Sequence, residues 1–304
     1  MTRTISALLL ALLMPALLSW PAGAQDKPAD PKQEQIAKER KAAYEAADKV
    51  LKAGPAEIKL IEQGTLSLPA GYQFVPQPEA GAILRANGSR DSSELIGLIY
   101  PVGDAQWVAI LRHIAAGYVK DEEAKDWNAD DLLKSLKEGT ESNNEDRAAR
   151  GFPPLEVKGW IEKPAYYAAD HRLIWSALVL SKGEEEKDGS VNYNTYALGR
   201  DGYFSLNLIT TQAAIGADKA NARTLLAALS YLPGKGYGDF NASTDHIAEY
   251  GLAALIGGVA AKKLGLLALG AAFFLKFAKI IGIAVIAFGA GIAKLFGGRK
   301  KPQA

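Results

Sequence analysis

The middle of the chain alternates hydrophobic and polar positions in short runs, a pattern typical of strands. Runs rich in β-branched and aromatic residues, each bounded by Gly, Pro or Asp, predict strands at residues 65–68, 73–75, 94–102, 107–113, 155–162, 172–180, 191–198 and 203–211. The last four follow one another with short links, and Gly199-Arg200-Asp201-Gly202 supplies the positive-φ position that a tight turn needs between the final two. We therefore expect these four strands to form an antiparallel meander.

Helical spacing of apolar residues occurs in three further segments. Residues 32–53 carry a thin apolar stripe and stop at Gly54-Pro55, which predicts one amphipathic helix that docks weakly or serves as a spacer. Residues 128–147 begin with Asn128 as an N-cap, and residues 218–229 place their apolar side chains on one face. Together these elements predict an α+β fold, a mostly antiparallel sheet with packed helices.

The N-terminal end is apolar and has the pattern of a Sec-type signal peptide. Arg3 supplies the positive region, residues 5–20 the apolar region, and Ala22-Gly23-Ala24 a small-x-small cleavage site. An uncleaved anchor helix is the alternative, but the run is short and contains proline. The chain has no cysteine, which excludes disulfides and cysteine-based metal or redox chemistry, and an exported protein of this kind fits a bacterial periplasm.

The C-terminal end is mostly apolar, and after Glu249 it has no acidic residue. Of the 35 basic residues, Arg3 precedes the first acid and eight follow the last, which leaves 26 against 34 acidic residues between them, a net charge of −8. Such asymmetry indicates contact with a membrane or a polyanion. The eight basic residues of the tail are Lys262, Lys263, Lys276, Lys279, Lys294, Arg299, Lys300 and Lys301.

Three arrangements of this tail at a bilayer are open. A span needs about 20 apolar residues, and residues 277–296 supply one if Lys279 and Lys294 lie near opposite interfaces. The others are a hairpin of two short helices with its tip at the lysine pair, and a helix lying flat on anionic lipid. We favour the single C-terminal transmembrane helix, because export followed by one crossing leaves Arg299-Lys300-Lys301 in the cytoplasm.

This organisation predicts a protein of the bacterial inner membrane whose folded part faces the periplasm and whose C-terminus is cytoplasmic. A chain truncated after Leu232 is expected to contain the whole core of that folded part. The expected segments are a signal peptide at 1–24, a helical spacer at 25–60, a periplasmic α+β domain at 61–238, a juxtamembrane helix at 239–263 and a membrane anchor with basic tail at 264–304.

The densest acidic cluster resembles the start of a calcium loop at Asp126-x-Asn128-x-Asp130. The imitation fails because the sixth position is Asp131 rather than Gly and the twelfth is Lys137 rather than Glu. A solvated loop leading into a capped helix is the better interpretation. The acidic residues of the cluster are Asp121, Glu122, Glu123, Asp126, Asp130 and Asp131.

No other motif identifies chemistry. The histidines His113, His171 and His246 are isolated and have no metal-ligand spacing, and no G-x-S-x-G elbow supports a serine triad. We therefore assign no metal, no cofactor and no catalytic residue. The acidic charge of the folded part argues against nucleic acid as a partner.

Aromatic residues gather in the second half of the chain. On the predicted strand 191–198, Asn192, Asn194 and Tyr196 share one face, which could bind a glycan or a peptide by stacking and hydrogen bonding. Packing in the core, with one face in contact with water, is the simpler interpretation and the one we favour.

Several stretches covering most of the mature chain resemble DUF2167, a bacterial family of uncharacterised membrane-anchored proteins. The resemblance implies an exported domain with a C-terminal anchor, and it brings no activity and no catalytic residues. The stretches are Gly117–Asp121, Trp127–Leu133, Lys137–Thr140, Gly159-Trp160, His171–Trp175, Val191–Arg200, Gly202–Phe204, Asp239–Asn241 and Tyr250–Lys263.

Three function hypotheses follow. The favoured one is a non-enzymatic membrane-anchored binding or scaffold module of the cell envelope, with the lipid bilayer and an envelope protein as partners. The second is an envelope hydrolase that uses carboxylates near Asp121–Asp131 or His171. The third is a membrane-remodelling protein that acts through its tail. A pocket where polar residues converge around a shifted carboxylate or histidine would favour the hydrolase.

Overall fold

The computed structural model describes residues 31–89, 93–125 and 127–257. The helices are α1 (Pro31–Ala47), α2 (Glu79–Ala86), α3 (Ala129–Ser142), α4 (Asn144–Ala149), α5 (Ile215–Ala227) and α6 (Ala253–Gly257). The strands are β1 (Lys52–Ala53), β2 (Ala56–Leu60), β3 (Gly64–Leu68), β4 (Tyr72–Pro76), β5 (Leu95–Pro101), β6 (Val108–Ile114), β7 (Leu155–Tyr167), β8 (Arg172–Ser181), β9 (Ser190–Gly199), β10 (Gly202–Thr211) and β11 (Leu229–Tyr231).

A sheet of eight strands forms the centre of the described fold, in the order β1-β4-β5-β6-β10-β9-β8-β7. Every neighbouring pair in it is antiparallel. A second antiparallel sheet has the order β11-β3-β2. Strands β7 to β10 form the predicted meander, and β9 turns into β10 at Arg200-Asp201. The prediction of an α+β fold with a mostly antiparallel sheet is therefore confirmed.

One face of the large sheet packs against α5 and the small sheet. Alternate residues of β10, such as Phe204 and Leu206, point into this core and meet Ala222 and Leu225 of α5. The apolar face predicted for residues 218–229 is thus buried, as expected for an amphipathic helix on a sheet. The helix itself ends at Ala227, and Leu229 begins β11 instead.

The opposite face carries two separate groups of helices. Helices α1 and α2 cover β4 to β6, where Tyr44 and Ile83 pack with Leu98. Helices α3 and α6 cover β7 to β9 and the start of β10, where Leu132 and Leu255 belong to one buried cluster. The strands between the two groups are the place where polar side chains reach this face.

The start of α3 follows the sequence prediction. The side-chain oxygen of Asn128 accepts hydrogen bonds from the backbone N–H groups of Asp130 and Asp131, at 2.8 and 3.3 Å. The N-cap prediction is confirmed, because these bonds satisfy amides that have no partner inside the helix.

Two helical predictions are wrong in extent. Residues 52–60 hold β1 and β2, which pair with β4 and β3, so the first helix stops at Ala47 and does not run to Gly54. Residues 240–252 form turns and loops, and the helix predicted there is the short α6 alone. In both places pairing or packing with distant residues decided the local structure.

The expectation that the core is complete by Leu232 is also wrong. Tyr237, Leu252, Leu255 and Ile256 are all buried in the cluster beneath α3. The last turn of the described chain is therefore part of the folded core.

The predicted signal peptide (1–24) and the predicted C-terminal transmembrane helix (264–304) lie outside the described residues. Within 31–89, 93–125 and 127–257, none of the helices has both the length and the apolar character that crossing a bilayer requires.

Candidate functional site

Three polar side chains from separate segments meet beside the end of β7. The Tyr166 hydroxyl donates to Asp121 Oδ2 at 2.6 Å and lies 3.2 Å from His171 Nδ1. The Nδ1 of His171 is 3.8 Å from the same carboxylate oxygen. Asp121 precedes a 3-10 turn at Glu122–Lys125, Tyr166 is near the end of β7, and His171 closes the turn into β8 with a φ of 51°.

A stack of four rings continues from this cluster. The His171 ring lies on Tyr237 at 4.1 Å, Tyr237 lies on Tyr118 at 4.4 Å, and Tyr118 lies on Phe240 at 3.9 Å between centroids. The Tyr237 hydroxyl donates to the carbonyl oxygen of Val119 at 3.0 Å. Because stacking and hydrogen bonding act together, the stack joins the loop after β6 to the β7–β8 turn and to the segment after β11.

The electrostatics favour protonated phenols in this cluster. Burial, followed by the hydrogen bond to Asp121, raises the pKa of Tyr166 well above its usual range. Burial, and to a smaller extent the hydrogen bond to Tyr118, also raises the pKa of Tyr237 well above its usual range. Both hydroxyls are therefore protonated at neutral pH and act as hydrogen-bond donors.

The cluster remains partly accessible to solvent. The side chains of His171 and Asp121 are 36% and 27% exposed, so a ligand could reach both. The structure thus brings together Asp121 and His171, two of the residues that the hydrolase hypothesis rests on. The sequence analysis missed Tyr166, Tyr237 and Tyr118 as their partners. A tyrosine five residues before a histidine carries no motif, and only the fold shows that their side chains meet.

The other acidic residues of the predicted cluster have structural roles or lie elsewhere. Glu123 Oε1 accepts the backbone N–H of Ala253 at 2.7 Å, at the start of α6. Asp130 and Asp131 give their amides to the cap of α3, and Asp126 lies outside the described residues. Over the ranges that the structure describes, no three His, Asp or Glu side chains gather in a way that could hold a metal ion.

The two remaining histidines stay apart from the cluster. His113 is 6% exposed on β6, its Nε2 has no hydrogen-bond partner, and its ring meets the Phe204 ring edge-on at 5.0 Å. Burial lowers the pKa of His113, while Asp201 raises it and Lys235 lowers it to smaller extents. His246 is exposed, and its carbonyl accepts the backbone N–H of Tyr118.

The turn between β9 and β10 is clamped to the segment after β11. The Arg200 guanidinium forms two hydrogen bonds with the Asp245 carboxylate, at 2.7 and 2.8 Å. Lys235 Nζ donates to Asp201 Oδ2 at 2.9 Å. The Arg200 hydrogen bond, and then the Asn241 amide, hold the pKa of Asp245 well below its usual range. The turn has a structural partner, and this accounts for its charged residues.

The face of β9 proposed for ligand binding is more enclosed than expected. Tyr196 is 8% exposed and donates to the Leu255 carbonyl at 2.9 Å, and Asn194 is 5% exposed. Across β10 the same face continues through Ser205 and Asn207, which pair with Tyr196 and Asn194. The expectation of a face open to water is wrong, because the two helix groups flank these polar residues.

Comparison with known proteins gives one family match and no curated one. A family model described as "Protein of unknown function (DUF2167)" matches residues 52–289. No curated protein matches the chain.

Two solved structures show weak similarity to this chain. The solution structure of cyanobacterial PsbP (CyanoP) from Synechocystis sp. PCC 6803 has a TM-score of 0.36 and 11% identity, over 60% of this chain and 91% of that one. PA94 of Pseudomonas aeruginosa, a protein of unknown function described as a putative regulator, has a TM-score of 0.26 and 11% identity, over 59% of this chain and 97% of that one. At scores this low, neither similarity bears on function.

Proposed function

This chain belongs to the DUF2167 family, and we propose that it is a binding or scaffold module of the bacterial cell envelope. Its folded part faces the periplasm and is held at the inner membrane by the C-terminal segment. Its partners are the lipid bilayer and an envelope protein.

The observation that carries this proposal is the burial of α6 at the end of the described chain. Leu252 and Ile256 are 0% and 2% exposed. The Leu255 carbonyl accepts from Tyr196, and the Ala253 amide donates to Glu123. In the sequence, the basic pair Lys262-Lys263 and the apolar tail follow within a few residues.

A fold fastened so close to an anchor stays near the membrane surface. Only residues 258–261 separate Gly257 from the basic pair in the sequence, so the surface formed by α3, α6 and the ring stack is joined to the tail by a short stretch of chain. This arrangement suits a module that meets a partner at the membrane.

The chemistry of the Asp121–Tyr166–His171 cluster also supports binding over hydrolysis. Tyr166 is held protonated by burial and by Asp121, with a raised pKa. Among the described residues, no serine or threonine hydroxyl is hydrogen-bonded to His171. The cluster offers positioned rings and hydrogen-bond donors, and it lacks the activated nucleophile of covalent catalysis.

Reporter fusions test the proposed topology. A reporter active only in the periplasm is expected to work when fused after Gly257, and one active only in the cytoplasm when fused after Ala304. Deleting residues 1–24 is the matched control, because it should abolish the periplasmic signal.

Two outcomes would contradict the proposal in different ways. Periplasmic activity at both fusion points would replace the single span by a hairpin or a surface helix, as the membrane-remodelling hypothesis requires. Cytoplasmic activity after Gly257, in a chain that keeps residues 1–24, would show that the folded part is not exported.

A further inference from the structure

Five polar side chains share the face of the large sheet that lies between the two helix groups. We call them the polar seam: Arg112, Asn192, Asn194, Ser205 and Asn207. They lie on the three adjacent strands β6, β10 and β9, with Ser205 cross-strand from Arg112 and Asn194 cross-strand from Asn207. Apolar neighbours border the seam on both sides: Ile110 and Ile209 towards α2, and Trp175 and Tyr196 towards α6.

The amide and hydroxyl groups of the seam make few hydrogen bonds for groups that are so deeply buried. The Asn207 Oδ1 atom is buried and has no hydrogen-bond partner among residues 31–89, 93–125 and 127–257. Asn194 and Ser205 are 5% and 8% exposed, and the one side-chain bond here runs from Asn194 Nδ2 to the Asn192 carbonyl at 3.2 Å. Buried polar groups without hydrogen-bond partners cost free energy, and a bound ligand would supply the missing hydrogen bonds.

A donor on the border adds to this pattern. Trp175 is cross-strand from Asn194, and its indole nitrogen is buried without a hydrogen-bond partner. Its N–H lies near the Tyr196 hydroxyl, which itself donates to the Leu255 carbonyl, but does not reach hydrogen-bond geometry with it.

Arg112 brings a positive charge to the same place. Burial lowers its pKa, and the carboxylate of Glu94 and the hydroxyl of Tyr196 oppose that shift. Glu94 is exposed and attracts the Arg112 guanidinium electrostatically. Among the described residues, no carboxylate forms an ion pair with Arg112. A desolvated guanidinium favours an anion with which it can form paired hydrogen bonds.

We infer that the polar seam binds a small carboxylate that also carries an N–H or O–H donor, as amino acids and hydroxy acids do. The carboxylate accepts from Arg112, and from the Asn194 amide or the Trp175 indole. The N–H or O–H group of the ligand donates to Asn207 Oδ1, an amide oxygen that accepts no other hydrogen bond from the described residues. A bound water could satisfy Asn207, but only an anion also gives Arg112 a hydrogen-bonded partner of opposite charge.

The test uses the full chain in detergent and follows its thermal unfolding with four probes. L-lactate and glycine have a carboxylate and a donor, acetate has only the carboxylate, and 1,2-propanediol has only the donor. We expect the first two to raise the melting temperature at millimolar concentration, acetate to raise it less and the diol not at all.

Variants locate the effect. Arg112→Gln should weaken binding of the responding probe by at least about tenfold, whereas Arg85→Gln, which removes an exposed guanidinium on α2, should leave it unchanged. Asn207→Asp covers the case in which Arg112→Gln does not fold. It gives Arg112 an internal carboxylate, so it should raise stability without ligand and abolish the response to the probe.

Two results overturn the inference. One is the absence of any stabilisation of the natural sequence by lactate or glycine. The other is stabilisation that persists in both Arg112→Gln and Asn207→Asp, because binding would then lie elsewhere. Neither result depends on the membrane topology proposed above, since the assay reads the folded protein in detergent.

Discussion

The Tyr166 hydroxyl contacts both Asp121 and His171, and its loss should be measurable. Tyr166→Phe removes a 2.6 Å bond to a carboxylate and a 3.2 Å contact with the imidazole. Hydrogen bonds to charged groups contribute about 1.5–3 kcal/mol, and we expect the lower part of that range because the site is partly exposed. Urea unfolding of the natural protein and the variant measures the difference.

The neighbouring residue supplies a matched control. Tyr167 is 51% exposed, so Tyr167→Phe makes the same chemical change outside the cluster and should leave the free energy of unfolding unchanged. Equal effects of the two substitutions would show that the cluster contributes nothing specific to stability.

His113 gives the fold a dependence on pH that can be worked out in sign. Burial puts its folded pKa below the unfolded value of about 6.5. Above that pH the imidazole is neutral in both states and the stability is fully present. As the pH falls, the unfolded chain takes up the proton first, so stability is lost until the folded pKa is passed.

Replacing His113 should reduce the loss of stability at acid pH. His113→Phe keeps a ring against Phe204 and removes the titrating group, so the free energy of unfolding should fall less between neutral pH and pH of about 5. Chemical denaturation across that pH range makes the comparison, with the exposed His246→Gln as the control. If His113→Phe loses as much stability at acid pH as the natural protein, the pH dependence arises from other groups.

Among the elements, α6 is the one whose removal is most informative. Leu252, Leu255 and Ile256 are buried, and each such side chain contributes about 1.5–3 kcal/mol. Their sum approaches the whole stability of a typical domain, about 5–15 kcal/mol. A fragment of residues 25–257 is therefore expected to unfold cooperatively, whereas 25–232 should aggregate or melt without a cooperative transition.

Circular dichroism and calorimetry of the two fragments decide this point. A cooperative transition at similar temperature in the shorter fragment would mean that the cluster beneath α3 is dispensable. It would also weaken the argument that the fold is fastened to the start of the tail.

The elements predicted correctly are those whose signal is local. The β9–β10 turn needs the left-handed backbone of Gly202, which has a φ of 140°, and the Asp-Gly pair indicates it in the sequence. The cap at Asn128 and the alternating strands β7 to β10 are equally local. Short-range chemistry decides such elements before any packing does.

The missed elements depend on distant partners. β1 has only two residues and exists because it pairs with β4. β2 lies within the segment predicted as a helical spacer (25–60), and only its pairing with β3 shows it to be a strand. β11 has three residues and looks like a continuation of α5. Helix α2 begins at Glu79 and contains Gly81, which weakens its helical signal.

At the scale of the molecule, the sequence contained the residues of the candidate cluster but not their association. Asp121 and His171 stood out by type, yet the loop after β6 and the β7–β8 turn meet only when the sheet is complete. The polar seam was half visible as the Asn and Tyr face of one strand. Its other half, Arg112 and Asn207, lies on strands that become neighbours through the fold.

The position of α6 also sets the order of events when the protein is made. The cluster beneath α3 draws its earliest member, Val119, from the middle of the chain and its latest, Ile256, from the end of the described part. Because synthesis proceeds from the N-terminus, strands β7 to β10 exist before α6, which completes the cover that α3 begins. Nascent chains therefore carry an uncovered apolar surface until residues 252–256 have been made.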